Sequence, residues 1–292
     1  MSNISLVIEE RATTIGNFIV GRILPFRQKR MVGPFIFIDH MGPVTLNSGE
    51  GLDVGSHPHI GLSTLTYLLE GCILHTDSIG TSIEIKPGAV NLMKAGKGIV
   101  HTERTPDYIL PSEKRIHGLQ IWIALPLSQE DAEPTFTHVD SASIPSWRDG
   151  NTNIKLILGE FGGRKSPVPM SSPSYLIEMT AELDTEIQIG DQLFGEIGMY
   201  IIEGEVELEN TVFQSKQMLV SLNPSLCSFV LKKDSKIFLF GGEPLAEERF
   251  IHWNFVHSKK EMIEKAKKDW SERKFTMIEG DDSYVPLPGL KK

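Results

Sequence analysis

The stretch from Leu62 to Met93 constrains the fold more than any other part of the chain. Short apolar and β-branched runs, Leu62–Leu69, Ile73-Leu74-His75, Ser82–Ile85 and Ala89–Met93, follow one another with Glu70-Gly71, Gly80 and Pro87-Gly88 as punctuation. Glycine and proline end each run, and the runs themselves favour extended backbone. Strands this short and this evenly spaced build an antiparallel barrel or jelly roll.

The pattern returns later in the chain. Tyr67-Leu68-Leu69-Glu70-Gly71 is echoed by Tyr200-Ile201-Ile202-Glu203-Gly204, an offset of 200 − 67 = 133 residues. Such an echo points to a duplicated module. Strand signals resume at Ile154–Leu158 and Tyr175–Met179, and Phe238–Leu245 closes the β region. Between the copies, residues 126–153 hold three prolines and the acidic run Gln129-Glu130-Asp131-Ala132-Glu133, the composition of a linker. A length of 292 residues accommodates two cores. We therefore expect an all-β chain with a first domain over 1–130, a linker over 131–153 and a second domain over 154–292. The second domain ends in a C-terminal α-helix. Ser258-Lys259-Lys260-Glu261 has the form of a capping box, and Met262, Ile263, Ala266 and Trp270 recur at helical spacing to about residue 272.

Composition narrows the function. The net charge of −9 opposes a broad nucleic-acid footprint, because such binding rests on neutralising phosphates. No apolar run approaches a membrane span, and Met1-Ser2-Asn3-Ile4-Ser5 lacks a secretory signal, so a cytoplasmic protein is expected. The two cysteines, Cys72 and Cys227, read as free thiols.

The chemistry sits in two short patterns. Ser56-His57-Pro58-His59 and His101-Thr102-Glu103 each set two coordinating side chains two residues apart. On strands, that spacing puts both members of a pair on one face. His-x-His alone is a weak signal, and the second pair strengthens it. Three imidazoles and a carboxylate suit a divalent transition metal such as iron(II), manganese, cobalt, nickel, copper or zinc, with coordination positions left open. Pro58 removes a backbone donor and suits a sheet edge. In Leu119–Leu125 the aliphatic residues share one face, while Gln120 and Trp122 share the other, open to a ligand cavity or to packing. His40, near the end of the buried run Val32–Pro43, either lines a pocket or caps a strand end.

Taken together, His57-Pro58-His59-Ile60-Gly61, Tyr67–Gly71, Ala95-Gly96-x-Gly98-Ile99-x-His101-x-Glu103, His117–Trp122, Gly33-Pro34-Phe35 and Gly242-Glu243-Pro244-Leu245 resemble the pirin family of the cupin superfamily. The resemblance implies two tandem cupin barrels with one metal, iron(II) foremost, in the N-terminal barrel. Its implied ligands are His57, His59, His101 and Glu103. Most cupins carry a glutamate four or five residues after the second histidine; Ser63 and Thr64 stand there, which leaves Glu103 as the carboxylate. In the second copy Gly190 and Gln192 fall opposite His57 and His59, so no transition metal is expected there. Some pirins resemble quercetinases, which use dioxygen to open flavonols with release of carbon monoxide. That implies a small aromatic substrate, Glu103 as catalytic base, and Gln120, Trp122 and His40 as substrate contacts. The alternative is a non-enzymatic, metal- and redox-responsive module acting on a protein partner.

Overall fold

The computed structural model describes residues 4–15, 18–221 and 228–289. The chain divides into two compact units, neither of them a continuous stretch. One gathers Met1–Arg11, Gly21–Ile38 and Val139–Leu245; the other gathers Ala12–Val20, Asp39–His138 and Ala246–Lys292. These units cut across the expected boundaries at 130 and 154. The N-terminal segment belongs with the later barrel because Leu6–Glu9 pairs antiparallel with Gln217–Ser221. The C-terminal helix belongs with the earlier barrel, where Ile263, Ala266 and Trp270 join Ile60, Val100 and Phe255 in one apolar cluster. Residues 131–153 are not a bare linker, since they contain the strands Thr135–Val139 and Ser146–Asp149.

In the unit that carries the histidines, a four-stranded sheet runs Asp53–His59, Ile99–Arg104, Ile73–Asp77, Ser82–Ile85. In the companion sheet Thr135–Val139, Val90–Lys94, Leu62–Glu70 and Lys114–Ala124 pair in that order. Pro58 lies on the edge strand of the smaller sheet, where its missing N–H costs no ladder bond.

The echoed motifs occupy equivalent central strands. Leu62–Glu70 lies between Val90–Lys94 and Lys114–Ala124, and Glu196–Glu203 lies between Gln217–Ser221 and Lys236–Gly242. Each strand ends at a glycine with positive φ, Gly71 at 93° and Gly204 at 75°. A side chain at Gly71 would also meet the Arg115 carbonyl, so the turn requires glycine twice over. The interiors differ. In the first copy the cross-strand row is Asn91–Thr66–Gln120; in the second it is Leu219–Met199–Leu239. The polar row leaves chemistry inside its barrel, whereas the apolar row belongs to a filled core.

The helix spans Lys260–Ser271 and begins one residue later than the capping box implies, with Lys259 as N-cap and no side-chain cap. Ser258 is captured by buried Glu130 instead, through its amide at 2.8 Å and its hydroxyl at 2.6 Å. Glu130 is already ion-paired to buried Arg249 at 2.9 Å, and a buried carboxylate of this kind demands every donor within reach. Trp270 is fully buried, donates to the Val285 carbonyl at 3.0 Å and stacks on Tyr284 at 4.5 Å. Trp270→Ala is expected to destabilise this unit by about 3–5 kcal/mol, measured by denaturant unfolding; a loss under about 1 kcal/mol would show that the helix contributes little to its stability.

Cys72 is a half-buried free thiol whose pKa burial pushes up, which makes it a poor nucleophile. Cys227 lies outside the described residues.

Candidate metal centre

Strand pairing brings the two sequence patterns together. The Ile99–Arg104 strand lies between Asp53–His59 and Ile73–Asp77, with His101 opposite His57 on one side and Asp77 on the other. Directly opposed residues share a face of the sheet. His57, His59, His101 and Glu103 therefore point the same way, and so do His75 and Asp77. A register shift after His101 sets Glu103 opposite Val54 on one side, while on the other it faces His75.

The three imidazoles converge. One nitrogen from each of His57, His59 and His101 lies within 4.8 Å of the others, all three buried. Nitrogens bound to one ion at about 2.1 Å can stand up to about 4.2 Å apart, so a few tenths of an ångström separate this arrangement from a ligand set. Both ring nitrogens of His59 and Nε2 of His101 are buried without a hydrogen-bond partner. Such orphans are costly unless something else binds them, and a metal ion is a partner that imidazole lone pairs accept. His57 Nδ1 faces the Gly55 carbonyl at 2.8 Å. That contact requires the proton on Nδ1 and frees Nε2 as donor to a metal. The residues fit a divalent transition metal.

Electrostatics favour the same state. Burial pushes the His57 pKa down to about 4, with the Gly55 carbonyl opposing and His75 assisting. Burial and neighbouring imidazoles hold His59 and His101 well below the usual histidine range. All three are thus neutral near pH 7, as metal ligands must be. The metal-free protein is expected to lose stability as pH falls from about 6.5 towards about 4. In that window the unfolded chain takes up protons at His57, His59 and His101 while the native state resists them, because burial holds all three below the usual histidine range. Denaturant unfolding across the window checks this, and a flat profile would contradict it.

Glu103 is buried but lies outside the 4.8 Å set. Burial raises its pKa, against the pull of His75 and the Thr66 hydroxyl. Thr66 Oγ1 lies 3.2 Å from Glu103 Oε1 and donates to Gln120 Oε1 at 2.7 Å. Trp122 meets His59 edge-on, with ring centroids 5.2 Å apart. Gln120 and Trp122 are thus within one contact of Glu103 and His59. His40 instead pairs with His117, Nε2 to Nε2 at 3.0 Å, both buried.

Sequence reading passed over His75, Asp77 and Thr66. His75 and Asp77 have the same i, i+2 spacing as His57 and His59, which was the available signal.

Residues 17–123 match the family described as Pirin, and residues 176–276 match the Pirin C-terminal cupin domain. The chain belongs to the pirin family of the cupin superfamily. A pirin-like protein of Caulobacter vibrioides is 42% identical over 98% of this chain and 99% of its own length. A Pseudomonas aeruginosa relative, provisionally named a quercetin 2,3-dioxygenase, is 38% identical over 97% of this chain and 87% of its own. The crystal structure of an Acinetobacter baumannii quercetin 2,3-dioxygenase superposes with a TM-score of 0.89 at 34% identity, covering 98% of this pirin and 96% of that chain. Among the described residues of this pirin, no helix is long and apolar enough to cross a membrane.

Proposed function

We propose that this pirin is a metal-dependent dioxygenase that opens flavonol-type substrates, with His57, His59 and His101 as metal ligands and Glu103 as base or additional ligand. The observation that carries this reading is the convergence of three buried, neutral imidazoles with orphaned nitrogens beside a buried carboxylate. Likeness to proteins named as quercetin 2,3-dioxygenases supports the choice of substrate class. Iron(II) is the proposed ion, among the first-row metals that this donor set accepts.

A divalent metal held by His57, His59 and His101 would supply positive charge and open coordination positions to a substrate oxygen and to dioxygen chemistry. The chain's own residues do the rest. Glu103, its proton affinity raised by burial, accepts the flavonol hydroxyl proton. Thr66 and Gln120 form a hydrogen-bonded row beside Glu103, fixing the wall against which the substrate lies. Trp122 and the apolar strands around it keep bulk water from the reacting ring.

Aerobic incubation of the metal-loaded protein with quercetin tests the reading. Loss of the flavonol absorbance, matched by carbon monoxide release and abolished by chelation, is expected. A fully metallated protein that leaves quercetin unchanged would overturn it and favour the non-enzymatic module acting on a protein partner. Elemental analysis of protein purified without a metal-binding tag tests iron; zinc alone would overturn that choice.

A further inference from the structure

We propose that Asp77 and His75 are positioning residues that set which nitrogen His101 presents to the metal, through a relay with a fixed direction. The inference rests on the three-histidine reading of the centre.

The relay is built from its far end inwards. Asp77 closes the turn after its strand, and its Oδ1 accepts from the amides of Ile79 at 3.1 Å and Thr81 at 2.9 Å. Its Oδ2 faces His75 Nε2 at 3.1 Å. An anchored carboxylate can only accept, so His75 must carry its proton on Nε2. His75 Nδ1 is then a bare lone pair, and it faces His101 Nδ1 at 3.3 Å. His101 must therefore donate from Nδ1, which leaves Nε2 bare. Nε2 is the His101 nitrogen with no hydrogen-bond partner in the protein. Each step leaves one arrangement of protons, and the last delivers a lone pair where the three imidazoles converge.

The surroundings protect this order. His75 and Asp77 are each 2% exposed. Phe136 stacks on the His75 ring at 4.6 Å with 28° between planes. No water is needed to complete the row, since every nitrogen and oxygen in it already has a partner except the one aimed at the ion. Outer partners of this kind orient a ligand and raise its donor strength.

Asp77→Asn inverts the relay at constant volume. The asparagine oxygen stays on the amides of Ile79 and Thr81, because its NH2 group would clash with those donors. The NH2 group then donates to His75 Nε2, His75 donates from Nδ1, and His101 is left with its proton on Nε2, the wrong nitrogen for a ligand. His75→Gln restores the original direction: its amide donates to Asp77 and its oxygen accepts from His101. His75→Phe offers neither.

Competition titration of the metal-free proteins with zinc(II) against a chromophoric chelator reads the result, and metal-free thermal unfolding confirms that each variant is folded. Asp77→Asn and His75→Phe are expected to weaken zinc binding by about tenfold to a hundredfold, with His75→Gln close to the parent protein. The relay is overturned if Asp77→Asn, or His75→Phe should Asp77→Asn not fold, keeps the parent affinity. It is equally overturned if His75→Gln loses as much as His75→Phe. Failure of the parent protein itself to bind zinc(II) would instead remove the three-histidine reading, which separates the two.

Discussion

Replacing His101 by alanine is expected to empty the metal centre. The His101 ring lies 4.3 Å from the His57 centroid and 4.9 Å from that of His59, and it alone among the three lies on an interior strand of the sheet. Without it, only two imidazoles from one edge strand remain. The loss of affinity should exceed the roughly hundredfold that outer partners command, so metal content should fall from stoichiometric to almost none and turnover with it. The substitution removes a buried Nε2 that has no protein partner together with the Nδ1 that meets His75 at 3.3 Å, so folding of the metal-free variant is measured beside its metal content. Elemental analysis with a thermal melt checks both points; metal content equal to the parent protein would sink the assignment.

Glu103→Gln should separate binding from chemistry. Glutamine has the shape of the carboxylate and keeps an oxygen for the Thr66 hydroxyl, now 3.2 Å from Glu103 Oε1, but it cannot take a proton. Glu103 lies outside the set of nitrogens that converge, so the three imidazoles should hold most of the metal. Flavonol turnover is expected to fall by about 10²–10⁴. Steady-state assays on protein of measured metal content read this directly, and full activity in the variant would remove the glutamate from the mechanism.

The sequence carried local information well. His57-Pro58-His59 and His101-Thr102-Glu103 were legible because strand alternation is a local rule, and proline announced the sheet edge for an equally local reason. The echo between Tyr67 and Tyr200 located two central strands because a tight glycine turn must follow each. Long-range choices were not legible. Nothing near Ser258 signals that Glu130, 128 residues away, takes its hydroxyl from the helix. Nothing in Leu6–Glu9 says that its partner is Gln217–Ser221. His75 and Asp77 had the right spacing, but only pairing of their strand with that of His101 gives the spacing meaning.

The unit that holds the histidines is sealed by the segment around Ser283 and Val285. Val285 donates to the Ser56 carbonyl at 2.9 Å, and Ser283 Oγ accepts from the Ser56 amide at 2.8 Å, beside His57. During synthesis, the imidazoles leave the ribosome long before the segment that seals their strand. The ion's cradle therefore stays unsealed until a segment 227 residues beyond Ser56 folds back onto it, and non-local closure of this kind is slow. Closure around the ion thus waits on the Ser283–Val285 segment, not on the appearance of the ligands.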